Sequence, residues 1–146
     1  MKQVIYLIIL LITATACKEV YEAPPQSLLR ATILDSTTGG TTTPTVSVRG
    51  IGIEPYLLID TTLSVLNLPL SANNESGFLI TFDSISDTIT FTHDTSMKYA
   101  SMESGFYNEY KLHHIDFSKH RIDSILITDS LVTKTLHENI KLYIHP

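Results

Sequence analysis

The sequence holds no tryptophan and a single cysteine in 146 residues, and its longest apolar run stops after nine, Val4 to Ile12. Each scarcity excludes something. A transmembrane helix needs roughly 20 consecutive apolar residues to cross a hydrocarbon core of about 30 Å, and this run is too short. One thiol, Cys17, allows no internal disulfide, so the folded domain must be held by buried apolar surface. About 130 residues follow Cys17, enough for one sizeable core and one domain. Basic residues are outnumbered, 10 Lys and Arg against 15 Asp and Glu, and the net charge is −5. They are scattered singly, whereas nucleic-acid binding calls for a basic face or stripe, so no nucleic-acid partner is expected. Acidic residues are equally dispersed, the ordinary state of a solvated surface. No Gly-x-Ser-x-Gly elbow and no phosphate-cradling glycine loop occurs.

What is present begins with a leader. Lys2 supplies a positive charge, the apolar run follows, and Thr13-Ala14-Thr15-Ala16 brings small side chains up to Cys17. That order describes a secretory signal peptide over residues 1–16. A thiol directly after Ala14-Thr15-Ala16 resembles the lipobox of bacterial lipoproteins, although the first of the three is more often Leu there. The resemblance implies that Cys17 is acylated and becomes the new N-terminus, and several acyl chains on one residue anchor a protein stably. Residues 17–26, polar and ending in Pro24-Pro25-Gln26, read as the lipidated cysteine and a semi-stiff tether. Lys18-Glu19 resembles a signal for surface display. Outer-membrane anchoring is expected, with the leaflet left open.

Residues 27–146 read as an all-β domain. Ser and Thr account for 33 residues, and Ile, Val and Thr recur in short alternating runs, which suit a pleated, half-buried surface. Strands are expected over Leu28–Leu34, around Val46 and Val48, over Tyr56–Asp60, Leu63–Leu68, Phe78–Phe82, around Ile89 and Phe91, over Tyr107–Phe117, Ile122–Thr128 and Ile140–Ile144. The loop Thr37 to Thr43 suggests a hairpin connection, and Asn73-Asn74-Glu75-Ser76-Gly77 a turn. Tyr107–Phe117 is expected to be the longest strand and to pair with Ile122–Thr128. A helical turn is weakly suggested near Leu131 to Glu138. About eight to nine strands at regular spacing point to an immunoglobulin-like β-sandwich.

Tyr99 to Phe106, Ile122-Asp123-Ser124-Ile125 and Glu138-Asn139-Ile140-Lys141-Leu142-Tyr143-Ile144 follow Asn67-Leu68-Pro69-Leu70 in order. Together they resemble a family of uncharacterised small lipoproteins of the Bacteroidetes, over about residues 27 to 146. The resemblance implies an envelope lipoprotein with a β-sandwich and brings no activity. In that family a Cys-Gly is expected where this chain has Ser104-Gly105, which implies a disulfide lost here.

Candidate chemistry is sparse. The six histidines are at 93, 113, 114, 120, 137 and 145. Adjacent His113 and His114 point to opposite faces of a strand and can share a metal only across a bulge. His93-Asp94 and His120 can meet only through the fold, and surface histidines on strands are the expectation. Asp83-Ser84-Ile85-Ser86-Asp87 offers oxygen ligands of the kind calcium takes, but a turn closed by its own side chains explains the same residues. No metal or cofactor is expected. Seven of the eight Asp residues precede Ser or Thr, where independent placement gives about two. Six of these tripeptides, centred on Ser36, Thr61, Ser84, Thr88, Ser124 and Ser130, resemble an O-glycosylation site described for exported proteins of the Bacteroidetes. Side chains capping their own backbone account for most copies, and modification of at least one hydroxyl is expected. The expected role is non-enzymatic: a lipid-anchored module that binds another envelope protein. A glycan- or small-ligand-binding accessory lipoprotein is the alternative, for which Tyr56, Tyr107, Tyr110 and Tyr143 would have to replace tryptophan. A bare sheet edge or exposed apolar patch would favour the first, and a pocket with converging polar groups the second.

Overall fold

A computed structural model describes residues 22–146. The expected leader, Cys17 and the first part of the tether lie outside the described residues. Ten strands follow in chain order: β1 (Leu28–Asp35), β2 (Thr45–Gly50), β3 (Leu58–Thr62), β4 (Val65–Pro69), β5 (Glu75–Phe82), β6 (Ile85–Ser101), β7 (Gly105–Phe117), β8 (Ile122–Ile127), β9 (Leu131–Val132) and β10 (Ile140–Ile144). They form two sheets, one of them curled into a half-barrel, ordered β4-β1-β10-β8 and β3-β2-β5-β6-β7-β9. β1 and β10 run parallel, with Ala31 beside Ile140 and Ile33 beside Leu142. The remaining pairs are antiparallel.

Period-two alternation builds both sheets. Leu29, Ala31 and Ile33 of β1, with Ile140, Leu142 and Ile144 of β10, face inward from the four-stranded sheet. Val46 and Val48, Phe78, Ile80 and Phe82, and Ile89 and Phe91 face them from the six-stranded one, and all belong to one hydrophobic cluster. Phe78 and Phe91 meet edge to face with centroids 6.0 Å apart. That common core makes the chain from 28 to 144 one packing unit.

Several expectations about connectivity are corrected. β1 and β2 lie in different sheets, so residues 36–44 form a crossover rather than a hairpin loop. Glu75, Ser76 and Gly77 belong to β5, pairing with Thr92, Phe91 and Thr90, so the turn closes before them. β6, not β7, is the longest strand. β8 pairs with β10 in the four-stranded sheet instead of with β7. The segment after Ser130 enters β9, which pairs with β7 at Tyr110 and Lys111, and carries no helix.

Candidate functional site

The inner face of β6 presents Asp87, Ile89, Phe91 and His93 in strict alternation, with Thr88, Thr90 and Thr92 on the outer side. Two polar side chains thus flank two core residues. Asp87 is 1% exposed. Its carboxylate accepts the Ser118 hydroxyl, the backbone N–H groups of His120 (2.9 Å), Arg121 (2.7 Å) and Ile122 (2.9 Å), and Nδ1–H of His120 (3.0 Å). Burial alone would raise its pKa, but these hydrogen bonds more than reverse that and hold the carboxyl below its ordinary 3.8. A carboxylate with its acceptor sites filled in this way pins the β7–β8 connection to β6 and has little capacity left for a ligand.

His93 is 1% exposed, which corrects the expectation of a surface histidine. Its Nε2 lies 2.9 Å from the Ser76 hydroxyl, and its ring stands edge-on to Tyr110 at 5.1 Å. Ser76 also accepts the Ser71 N–H at 2.8 Å. Burial lowers the His93 pKa below 6.5, against a partial pull from Asp94. A serine beside an imidazole is the start of a nucleophile–base pair, but Nδ1 finds no hydrogen-bond partner among the described residues. The acid that would orient the base is missing.

A second constellation lies where β1, β10 and the start of β8 meet. The Ser36 hydroxyl is 3.4 Å from His145 Nδ1, and His145 Nε2 is 3.6 Å from Asp123. Ser, His and Asp stand in the order of a hydrolytic triad, yet both separations exceed the roughly 2.6–3.2 Å of a working relay. The nearby N–H groups are spent as well. Ser36 donates to Ile144, Thr37 and Thr38 to the Asp35 carboxylate, and Gly39 to the Asp35 carbonyl. None of these N–H groups is free to hold an oxyanion.

The histidine and aspartate groupings weighed as metal ligands do not assemble among the described residues. β7 does bulge, with Thr92 opposite His114 and His93 opposite Leu112, so His113 is the extra residue. Even so, the two neighbours go to different carboxylates, His113 to Asp94 at 2.7 Å and His114 to Asp116 at 3.1 Å. Asp83 accepts the Thr45 N–H and pairs with Arg121 at 2.9 Å, while Asp87 is occupied as described. His93 and His120 serve opposite ends of the inward face of β6. Among the described residues no three His, Cys, Asp or Glu converge as metal ligands.

The six tripeptide hydroxyls are dispersed. Ser84, Thr88 and Ser124 are exposed, and Ser36, Thr61 and Ser130 half-buried. Asp35 and Asp129 cap their own turns, through Thr37 and Thr38 and through Leu131. Asp60, Asp83 and Asp87 instead bind chain far away in sequence.

The surface most unlike a solvated one lies between β2 and β3. Ile51 (53% exposed), Ile53 (63%), Tyr56, Leu57 and Ile59 (65%) stand open within nine residues, and β3 is an unpaired edge of its sheet. The loop folds over β5, where a Cβ on Gly77 would come 2.9 Å from Ile51 Cδ1. Under it lies an open cleft of about 350 Å³, lined by Ile51, Ile53, Leu57, Leu70 and Phe78 with Ser71, Glu75 and Ser76 as its polar members. On its other side Arg49, Glu54, Leu79 and Thr88 border a second cleft of about 550 Å³. The sequence carried a signal for this surface: Ile51-Gly52-Ile53-Glu54-Pro55-Tyr56-Leu57 is apolar where turn residues forbid a regular strand.

Comparison with known proteins gives one match, a family model described as a family of unknown function (DUF6452), over residues 45–144. It takes in this loop and both clefts. No curated protein and no solved structure matches the chain.

Proposed function

The chain belongs to the DUF6452 family of unknown function, and from that premise we propose that it is a lipid-anchored, non-enzymatic module of a bacterial cell envelope that docks another envelope protein. The supporting observation is the run of exposed Ile51, Ile53, Tyr56, Leu57 and Ile59 beside the unpaired edge of β3. Contiguous exposed apolar surface marks interaction sites, and a bare edge accepts an extended segment by strand addition. The anchor rests on the leader and the small-residue junction before Cys17, and outer-membrane placement on the resemblance to Bacteroidetes lipoproteins. Of an immunoglobulin-like sandwich, this reading keeps the two facing sheets and a shared core.

The test is photo-crosslinking in cells from a benzophenone side chain at position 59, followed by mass spectrometry. A discrete adduct that disappears on Ile53→Asp supports the docking surface. Crosslinks no more specific than those from exposed Leu126, in the four-stranded sheet, overturn it.

A second reading has its own observation. The cleft under the loop is concave and gathers Ser71, Glu75 and Ser76 at an apolar wall, the form of a site for a small ligand or glycan. Ligand-induced protection of the β5 amides from hydrogen exchange, with no protein adduct at position 59, is the result that favours it.

A further inference from the structure

The β6–β7 hairpin outruns the core that the rest of its sheet covers. Tyr110 pairs with Thr95 and still faces inward beneath the four-stranded sheet. Beyond it the same face continues through Met97, opposite Asn108, to Tyr99, opposite Phe106. Among the described residues these side chains stand open: Met97 is 69% exposed, Phe106 60%, and Met102 at the tip 90%. Tyr99 and Phe106 hold each other edge to face at 5.4 Å. Gly105, with φ of 74°, supplies the left-handed residue that closes the tip.

The tether shows what this tip faces. Pro25, Gln26 and Ser27 border one cleft with Asn108 and Tyr110, so the chain leaves β1 alongside β7. It then reaches the tip, where the Ser104 hydroxyl donates to the Glu22 carboxylate at 3.4 Å. Cys17 lies five positions before Glu22, a reach of at most about 18 Å when fully extended. An acyl anchor on Cys17 is therefore confined to that reach of Glu22, whose carboxylate meets the hairpin tip.

We propose that the tip of the β6–β7 hairpin, through Met97, Tyr99, Met102 and Phe106, inserts into the headgroup layer of the bilayer that holds the lipid anchor. The proposal rests on the lipid-anchor reading above. Tyrosine suits that layer, where its apolar ring can sink while its hydroxyl stays wet, and phenylalanine and methionine add apolar area. The anchor supplies a high effective concentration, so a shallow contact is enough to orient the domain. Seated this way, the protein stands on its hairpin and leaves the loop and edge at 51–62 free for a partner.

The chain's lack of tryptophan gives a clean probe. Full-length protein carrying Met102→Trp is purified with its anchor, its acylation is established by intact mass, and it is placed in phosphatidylethanolamine vesicles with brominated acyl chains. Insertion predicts a blue-shifted indole emission and loss of roughly half its intensity to the bromines, as for a shallow interfacial group. Phe106→Trp should repeat this, and Ile53→Trp should be unquenched. Acylated protein whose indole at 102 and at 106 stays red-shifted and unquenched overturns the proposal while leaving the anchor intact. Protein of unacylated mass overturns the anchor and the insertion together.

Discussion

A carboxylate enclosed between strands survives only when its lost hydration is replaced bond for bond. Asp87 meets that condition with three backbone N–H groups, a hydroxyl and an imidazole. Asp87→Asn turns half of that acceptor into a donor facing donors, and should cost at least about 3 kcal/mol in urea unfolding. The folded pKa is depressed, so the stabilisation is complete above 3.8 and is lost as pH falls through the folded value. Acid unfolding of the wild type should begin there, and D87N should flatten that limb. His93 acts in a higher window. Its folded pKa is also depressed, so the folded state resists a proton the unfolded chain takes up, and stability falls as pH drops below 6.5. His93→Phe should remove most of the slope between about pH 7.5 and about pH 5.5, read as urea midpoints; an unchanged slope would show that His93 does not carry it. The burial of both residues was legible in the phase of Asp87-Thr88-Ile89-Thr90-Phe91-Thr92-His93, which places them with Ile89 and Phe91. Their partners were not legible, because Ser118, His120 and Ser76 arrive through pairings set by the whole sheet.

At the scale of elements, alternation told which side of each strand is buried and nothing about which sheet it joins. Strand existence was therefore readable from Val46 and Val48 or from Ile140, Leu142 and Ile144, while partners were not. Residues 36–44 are long enough either to turn or to cross, and they cross. The outer half of β6 hid its length, because Thr95 to Ser101 has left the core and loses the apolar rhythm. β9 was read as a helical turn because two residues carry no period at all. What fixes it is Asn139, buried at 1%. Its Oδ1 accepts the Arg30 N–H of β1, and its Nδ2 donates to the carbonyls of Asp129 and Leu131. One amide so joins the four-stranded sheet to the entry of β9 in the other. Asn139→Ala should cost about 2–3 kcal/mol, with hydrogen exchange at Val132 rising more than at Ile80. The loop at 51–59 behaves oppositely. Ile53→Asp touches an exposed side chain and should shift stability by no more than about 0.5 kcal/mol, while removing any adduct formed from position 59. A large loss of stability would mean that this residue serves the fold and not a partner.

Across the whole molecule, two apolar surfaces outside the core lie at different places and answer different needs. The hairpin tip meets the tether at Glu22, while the loop reaches the residues before β1 only across Pro69 and Leu70, which border both clefts. β3 lies three strands across its sheet from β6, and that separation would let the edge and the hairpin tip take different partners. Both surfaces lie outside the one shared core, so anchoring and stability are expected to be separable. The chemistry at Cys17 therefore decides the reading without disturbing the domain. Growth with a labelled fatty acid should mark the wild-type protein and leave Cys17→Ala unmarked, and intact mass should show the mature chain beginning at residue 17 with acyl chains attached. A further mass increment in hexose steps would place sugar on the Asp-Ser and Asp-Thr hydroxyls, first on exposed Ser84, Thr88 and Ser124. A mass equal to lipid plus polypeptide would assign all six to turns and strand edges. Label retained by Cys17→Ala would remove the anchor, and with it the reason to seat the hairpin tip in a bilayer.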